Sequence, residues 1–107
     1  MEPKPYELQN YLTADNLNPF RRWIRGLDGS VRSVIQVRLR RIEEYGNFGD
    51  CQTVGDGVFE LRIYHGPGYR VYFGLDGETV ILLGGGDKGA QESDIRKSKE
   101  RWKDYNA

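Results

Sequence analysis

Two alternating segments joined by glycine-containing turns are the feature that most constrains the fold of this chain. Hydrophobic and polar side chains alternate through residues 58–65 and again through residues 69–74. Such alternation places successive side chains on opposite faces of a β-strand. Gly66-Pro67-Gly68 and Asp76-Gly77 follow the two segments and are typical of tight turns. Residues 79–83 are almost wholly apolar, as in a strand covered on both faces. The pattern predicts an antiparallel meander of three strands.

Helical periodicity precedes this meander. Asn18 and Pro19 are typical of a helix start, and apolar residues then recur at helical spacing. Asp28-Gly29-Ser30 separates this short helix from a longer one, which Gly46 is expected to end. The apolar residues of the two helices are Phe20, Trp23, Ile24, Leu27, Val31, Val34, Ile35, Leu39, Ile42 and Tyr45. We therefore predict a helical hairpin over residues 19–46, apolar inside and arginine-rich outside.

Three further elements complete the predicted order. Residues 4–12 alternate loosely and are predicted as a first strand, and residues 52–54 as a short strand before the meander. The run Gly84-Gly85-Gly86-Asp87 is expected to end the sheet and to open a last helix. The inner face of that helix is predicted to carry Ile95, Ser98, Trp102 and Tyr105. The order of strands and helices predicts one α+β domain over residues 1–107.

Composition limits the kinds of site that the chain can carry. Cys51 is the only cysteine and His65 the only histidine, which disfavours an internal disulfide framework and a zinc site. We expect neither a metal nor a cofactor. No apolar run approaches the roughly 18 residues of a membrane span, and residues 1–11 lack the basic-then-apolar order of a secretory signal. The expectation is a cytoplasmic protein without a membrane partner.

Charge is balanced in total but segregated along the chain. The 16 basic residues equal the 16 acidic residues, which argues against a uniformly basic nucleic-acid-binding surface. Residues 21–45 nevertheless contain seven arginines and three acidic residues, and residues 62–75 contain two arginines and no acidic residue. The arginines of the second helix are interpreted most simply as its solvent-exposed face, although they could also steer RNA or dock a partner.

One face of the predicted central hairpin carries most of the candidate functional residues. Alternation places Glu60, Arg62 and Tyr64 on one face, and the next strand is expected to add Arg70 and Tyr72. Guanidinium groups suit phosphate oxygens, and tyrosine rings can stack on unpaired bases. The same pattern also fits a solvated face on which Glu60 pairs with an arginine. Alternation alone leaves both interpretations open.

A second candidate is the glycine run that leads to Lys88. Glycines before a helix can expose backbone N–H groups to an anion, with the lysine close by, although the spacing of a Walker A loop is absent. The alternative is a simple strand-to-helix turn capped by Asp87. His65 beside the first turn is either an acid–base group or a solvated side chain. Cys51 is interpreted as a passive thiol.

Four segments together resemble a known family. The chain is similar, over roughly residues 5–105, to the addiction-module killer, or HigB-like, branch of the RelE/ParE toxin superfamily. The matching segments are NPFRRWIRGL, GDGVFELRIYHGPGYRVYFG, ILLGGGDK and DIRKSKERWKDY. The resemblance implies a RelE-like fold, which is a twisted antiparallel sheet with an N-terminal helical hairpin and a C-terminal helix. It also implies a type II toxin–antitoxin complex with a helix-turn-helix antitoxin.

The resemblance implies an activity and the residues that perform it. RelE-type members are ribosome-dependent endonucleases that cut mRNA, so the ribosome and mRNA are the implied partners. Arg62 matches a catalytic lysine, Arg70 a phosphate-binding arginine, and Lys88 an arginine placed to protonate the leaving 5′ oxygen. Such a reaction uses acid–base groups and needs no metal.

The chain departs from the family pattern at the group that would act as general base. Glu60 stands where RelE has a further lysine, and Asp94 stands near the place of a C-terminal tyrosine base. Glu60, Tyr72, Tyr64 and His65 all stay open as candidates for the base. Three other functions also stay open: a ParE-like DNA gyrase inhibitor without nuclease activity, a catalytically inactive toxin-fold protein and a small RNA-binding module.

Overall fold

The computed structural model describes residues 4–107, in which five strands form one sheet with helices on both faces. The elements are β1 (Glu7–Asn10), α1 (Pro19–Arg25), α2 (Gly29–Tyr45), β2 (Cys51–Gly55), β3 (Val58–Ile63), β4 (Tyr69–Asp76), β5 (Thr79–Asp87), a 3₁₀ turn (Lys88–Ala90) and α3 (Gln91–Tyr105). Residues 1–3, which the predicted domain includes, lie outside the described residues. No helix in the described part of the chain is long and apolar enough to cross a membrane.

The strand order confirms the predicted fold class and adds one parallel pair. The sheet runs β1-β5-β4-β3-β2, and β2 to β5 pair antiparallel as the turns between them require. β1 pairs parallel with β5, with Leu8 opposite Val80, so the sheet is mixed. The sequence predicted this strand but not its partner, because that partner is the last strand of the sheet in sequence order.

The helical hairpin agrees closely with its sequence signals, except that Tyr45, predicted on the inner face, is exposed at the end of α2. The Asn18 side chain accepts the N–H of Arg21 at 3.0 Å, and Pro19 opens α1. Gly46 ends α2 with φ of 67°, a left-handed conformation that glycine adopts without strain. The apolar faces of both helices bury Phe20, Ile24, Val31, Ile35, Leu39 and Ile42 against one face of the sheet.

The fifth strand is longer than predicted, which corrects the expected end of the sheet. β5 continues through the whole glycine run to Asp87, with Gly84 opposite Tyr72 and Gly86 opposite Arg70. Close packing explains why residues 85 and 86 are glycines. A Cβ at residue 85 would collide with the Trp23 ring, and one at Gly86 would collide with the Asp94 carboxylate. Helices on both faces therefore approach the backbone of this strand closely.

The C-terminal helix covers the second face of the sheet. Ser98 is buried, and Ile95, Trp102 and Tyr105 pack against a second apolar cluster that includes Tyr72. This is the face predicted from their spacing. The helix begins only at residue 91, after a 3₁₀ turn. Asp87 caps this turn by accepting the N–H of residue 89 at 2.9 Å.

Candidate active site

Strand pairing brings the predicted polar face together. In the β3–β4 register Arg62 lies directly opposite Arg70, and Glu60 lies directly opposite Tyr72. Directly opposed residues of antiparallel strands project on the same face. The sequence-based prediction that these four side chains share one face is confirmed.

Glu60 is the centre of this face and has no exposed surface. Its Oε1 accepts from Arg62 Nε at 3.0 Å and lies 3.4 Å from Arg70 Nε. Its Oε2 accepts from the Tyr72 hydroxyl at 3.3 Å and from Gln91 Nε2 at 2.9 Å. Both carboxylate oxygens are therefore engaged, and one buried negative charge lies between the two arginines.

The burial of Glu60 and Tyr72 argues against the expectation that either takes a proton from a substrate. α3 covers this part of the sheet, and its first residue, Gln91, contacts Glu60 directly. Tyr72 is also fully buried, and burial, followed by the nearby Glu60 and Asp94 carboxylates, strongly raises its pKa. Neither the Glu60 carboxylate nor the Tyr72 hydroxyl is exposed to a molecule in solvent. Glu60 pairs with both arginines, and the Tyr72 hydroxyl donates to Glu60.

A cleft of about 450 Å³ opens beside the arginine pair, at the end of the hairpin. Arg62 and Arg70 line it with side chains that are 31% and 13% exposed. Tyr64, which is 78% exposed, and His65 line it from the β3–β4 turn. Lys88 also lines the cleft, from the 3₁₀ turn after β5. Five of the seven predicted site residues thus share one cavity.

The electrostatics of this cleft favour an anion. Arg62, Arg70 and Lys88 contribute three positive charges against the single charge of Glu60. The hydrogen bond to Glu60 is the largest of the causes that raise the pKa of Arg62, so its guanidinium stays charged. A guanidinium that uses Nε for a carboxylate keeps two NH₂ groups for other acceptors. The arrangement can hold a phosphate group on two sides.

Two sequence expectations fall outside the cleft. The glycine run is a paired strand and not an anion-binding loop, so only Lys88 of that motif reaches the cavity. Asp94 lines a different cavity beside Trp23 and Arg101, and burial raises its pKa. Its carboxylate faces the backbone of β5 near Gly86 and cannot replace a base in the cleft.

Arg38 is a residue that sequence reasoning missed. It was grouped with the solvent-exposed arginines of α2, but its guanidinium donates to the Arg62 carbonyl at 2.6 Å and to the Phe48 carbonyl at 3.0 Å. A signal was present, because Arg38 follows Ile35 by three residues and precedes Ile42 by four. That spacing places it in the buried stripe of the helix.

Comparisons with known proteins identify two similarities. Residues 22–103 match the family model described as Phage derived protein Gp49-like (DUF891). A protein of Haemophilus influenzae (strain Rd), named only as an uncharacterized protein, is 46% identical over 95 residues. The alignment covers 87% of this chain and 89% of that protein, so the two are similar over nearly their whole lengths.

Proposed function

Because the chain belongs to the Gp49-like family of phage-derived proteins, we propose that it is the toxin of a type II toxin–antitoxin pair, of the HigB-like branch of the RelE/ParE superfamily. We propose further that it inhibits translation by cutting mRNA on the ribosome. One observation carries this proposal: Arg62 and Arg70 lie opposite each other in the same cleft as Lys88 and an exposed tyrosine. That combination suits a phosphodiester beside an unpaired base.

The reaction needs three kinds of group, and the cleft offers each of them. The 2′ oxygen of a ribose attacks the adjacent phosphorus, the bond from phosphorus to the 5′ oxygen breaks, and a 2′,3′-cyclic phosphate and a 5′ hydroxyl are formed. Arg62 and Arg70 bind the phosphoryl oxygens, on which charge develops. Lys88 gives a proton to the leaving 5′ oxygen. The acid–base groups suffice, so the reaction is expected to need no metal.

The burial of Glu60 and Tyr72 leaves two candidates for the general base, Tyr64 and His65. Both line the cleft beside the arginines. We assign the role to His65, because an imidazole both accepts and donates protons near neutral pH. Tyr64, with most of its ring exposed, is better suited to stack on a base. Substitution of His65 by glutamine should then lower the cleavage rate by about 10²- to 10⁴-fold.

Partners follow from the same proposal. The chain carries no net charge, so we expect weak binding to naked RNA and assign the presentation of the substrate to the ribosome. A helix-turn-helix antitoxin is the proposed protein partner, and its acidic side chains are expected near Arg62 and Arg70. Crosslinks that place the antitoxin wholly away from the cleft would contradict that expectation.

The proposal is tested with Arg70→Gln and a matched control, Arg96→Gln. Arg70 lines the cleft, whereas Arg96 is exposed on α3. Each variant is expressed under an inducible promoter, growth is followed, and cuts in ribosome-bound mRNA are mapped by primer extension. We expect Arg70→Gln to lower cleavage by about 10²- to 10³-fold and to abolish growth arrest. The control should behave as the wild type.

Other outcomes separate the alternatives. Undiminished cleavage by Arg70→Gln would refute the assignment of the cleft. Growth arrest without cuts, together with inhibition of DNA supercoiling, would identify a ParE-like gyrase inhibitor. Absence of any growth defect would identify an inactive toxin-fold protein, an outcome that the position of Glu60 between the arginines specifically allows.

A further inference from the structure

Arg38 differs from the other arginines of α2 because its guanidinium points into the protein. Nη1 and Nη2 donate to two backbone carbonyls, those of Arg62 and Phe48. Burial, followed by the charge of Arg41, lowers the pKa of Arg38. No carboxylate pairs with it among the ion pairs of the described residues. A half-buried charge whose side-chain hydrogen bonds go to neutral carbonyls is costly to hold, so the contact requires a fitted environment.

The loop before β2 supplies that environment. Gly49 has φ of +64°, and a Cβ at this position would lie 2.8 Å from Arg38 Nη2. The N–H of Gly49 donates to the Asn47 side chain at 3.0 Å, which fixes the turn. Since a left-handed φ favours glycine, the loop is shaped to let the guanidinium pass. The Arg38 side chain and the loop at Gly49 therefore fit each other.

The Arg62 carbonyl, which accepts from Arg38, belongs to the first residue of the segment that lines the cleft. Arg62 is fixed twice, because its N–H donates to the Asp50 carbonyl at 2.9 Å and its carbonyl accepts from Arg38. The strand ends one residue later, at Ile63, and residues 64–68 form the turn that lines the cleft. A small rotation of the Arg62 peptide group would therefore move the side chains of residues 63–68.

We infer that Arg38 is a positioning residue. It holds the Arg62 carbonyl and thereby sets where Arg62, Tyr64 and His65 stand in the cleft. Its effect on RNA cleavage rests on the proposed function, whereas its effect on the turn does not. Lysine is no substitute, because a single ammonium lacks the planar pair of donors that reaches two carbonyls at once.

The test compares Arg38→Lys with Arg41→Lys, an exposed position on the same helix. Amide hydrogen exchange is measured for residues 63–68 in the purified protein. Arg38→Lys should exchange about ten-fold faster in that segment, because a local contact has been lost, while α3 and β5 keep their protection. The control should match the wild type in all segments. Unchanged exchange in residues 63–68 would overturn the inference.

Cleavage kinetics on programmed ribosomes give the second readout. Arg38→Lys should lower kcat by roughly ten- to hundred-fold, because catalytic groups are displaced, with a smaller change in KM. A rise in KM with kcat unchanged, or no fall in kcat despite faster exchange, would also overturn the positioning role. If the wild type cuts no RNA, the proposed function fails, and hydrogen exchange alone decides the inference.

Gly49→Ala covers the case in which Arg38→Lys does not fold. It retains the arginine but pushes on its guanidinium from the loop. Faster exchange in residues 63–68 of this variant supports the inference. Faster exchange confined to residues 47–50, with residues 63–68 unchanged, refutes it.

Discussion

Glu60→Gln should destabilise the protein strongly, because five donor groups surround the buried carboxylate, Gln52 Nε2 at 3.5 Å among them. Oε1 accepts from one arginine at 3.0 Å and lies 3.4 Å from the second, and Oε2 accepts from Tyr72 and Gln91. Glutamine keeps the shape but has one oxygen and one NH₂ group. Whichever way the glutamine amide is turned, its NH₂ group points at donors. These are the two arginines in one orientation, and Tyr72 and Gln91 in the other.

The magnitude follows from the burial of the partners. Breaking a buried ion pair by removing one partner costs about 3–5 kcal/mol. The two arginine side chains are 31% and 13% exposed here, and solvent screening reduces the figure to about 2–3 kcal/mol. For a domain of this size, that loss lowers the Tm by about 10–15 °C.

The assay is thermal unfolding followed by circular dichroism, with urea unfolding as a second measurement. Glu44→Gln is the matched control, because Glu44 is an exposed carboxylate on α2. The control should stay within about 0.5 kcal/mol of the wild type. If Glu60→Gln unfolds at the same temperature as the control, Glu60 does not hold the arginine pair, and the reasoning about the cleft is wrong.

Three further changes test other contacts. Burial, followed by a hydrogen bond to a carboxylate on α3, raises the pKa of Tyr11 from 10.0 to about 12. The fold stabilises the protonated hydroxyl, so its contribution to the free energy of unfolding is lost as the pH rises from 10.0 to about 12. Over that interval the urea midpoint of Tyr11→Phe should therefore fall less than that of the wild type. Gly74→Ala would place a Cβ 2.5 Å from the Trp102 ring and should cost about 1–3 kcal/mol in urea unfolding; an unchanged midpoint would contradict the packing described. Gln91→Ala removes a 2.9 Å hydrogen bond to the buried carboxylate and should lower the free energy of unfolding by about 1–3 kcal/mol; a neutral result would mean that the start of α3 does not support the site.

Periodicity predicted which residues share a face but not which part of that face is covered. The alternation of Glu60 and Arg62 was sufficient to place both on one side of β3. It carried no information on the position of α3, which buries Glu60 and leaves Arg62 in the cleft. Whether a polar side chain on a sheet is a solvent-facing base or a buried anchor depends on the element that packs over it.

The glycine run shows a second limit of local reasoning. Three consecutive glycines have low strand propensity, so a turn is the natural prediction from sequence. In the structure, pairing with β4 extends the strand, and the close approach of Trp23 and Asp94 excludes side chains at Gly85 and Gly86. These are long-range contacts, and a local pattern does not contain them.

The parallel pairing of β1 with β5 has a consequence for synthesis on the ribosome. Leu8 is made before the other four strands, and its partner Val80 is made only after all of those that precede β5. Contacts so distant in sequence form late and slow folding. α3, which completes the surroundings of Glu60 through Gln91, follows all five strands in the sequence. The native surroundings of Glu60 can therefore form only after Gln91 has been made.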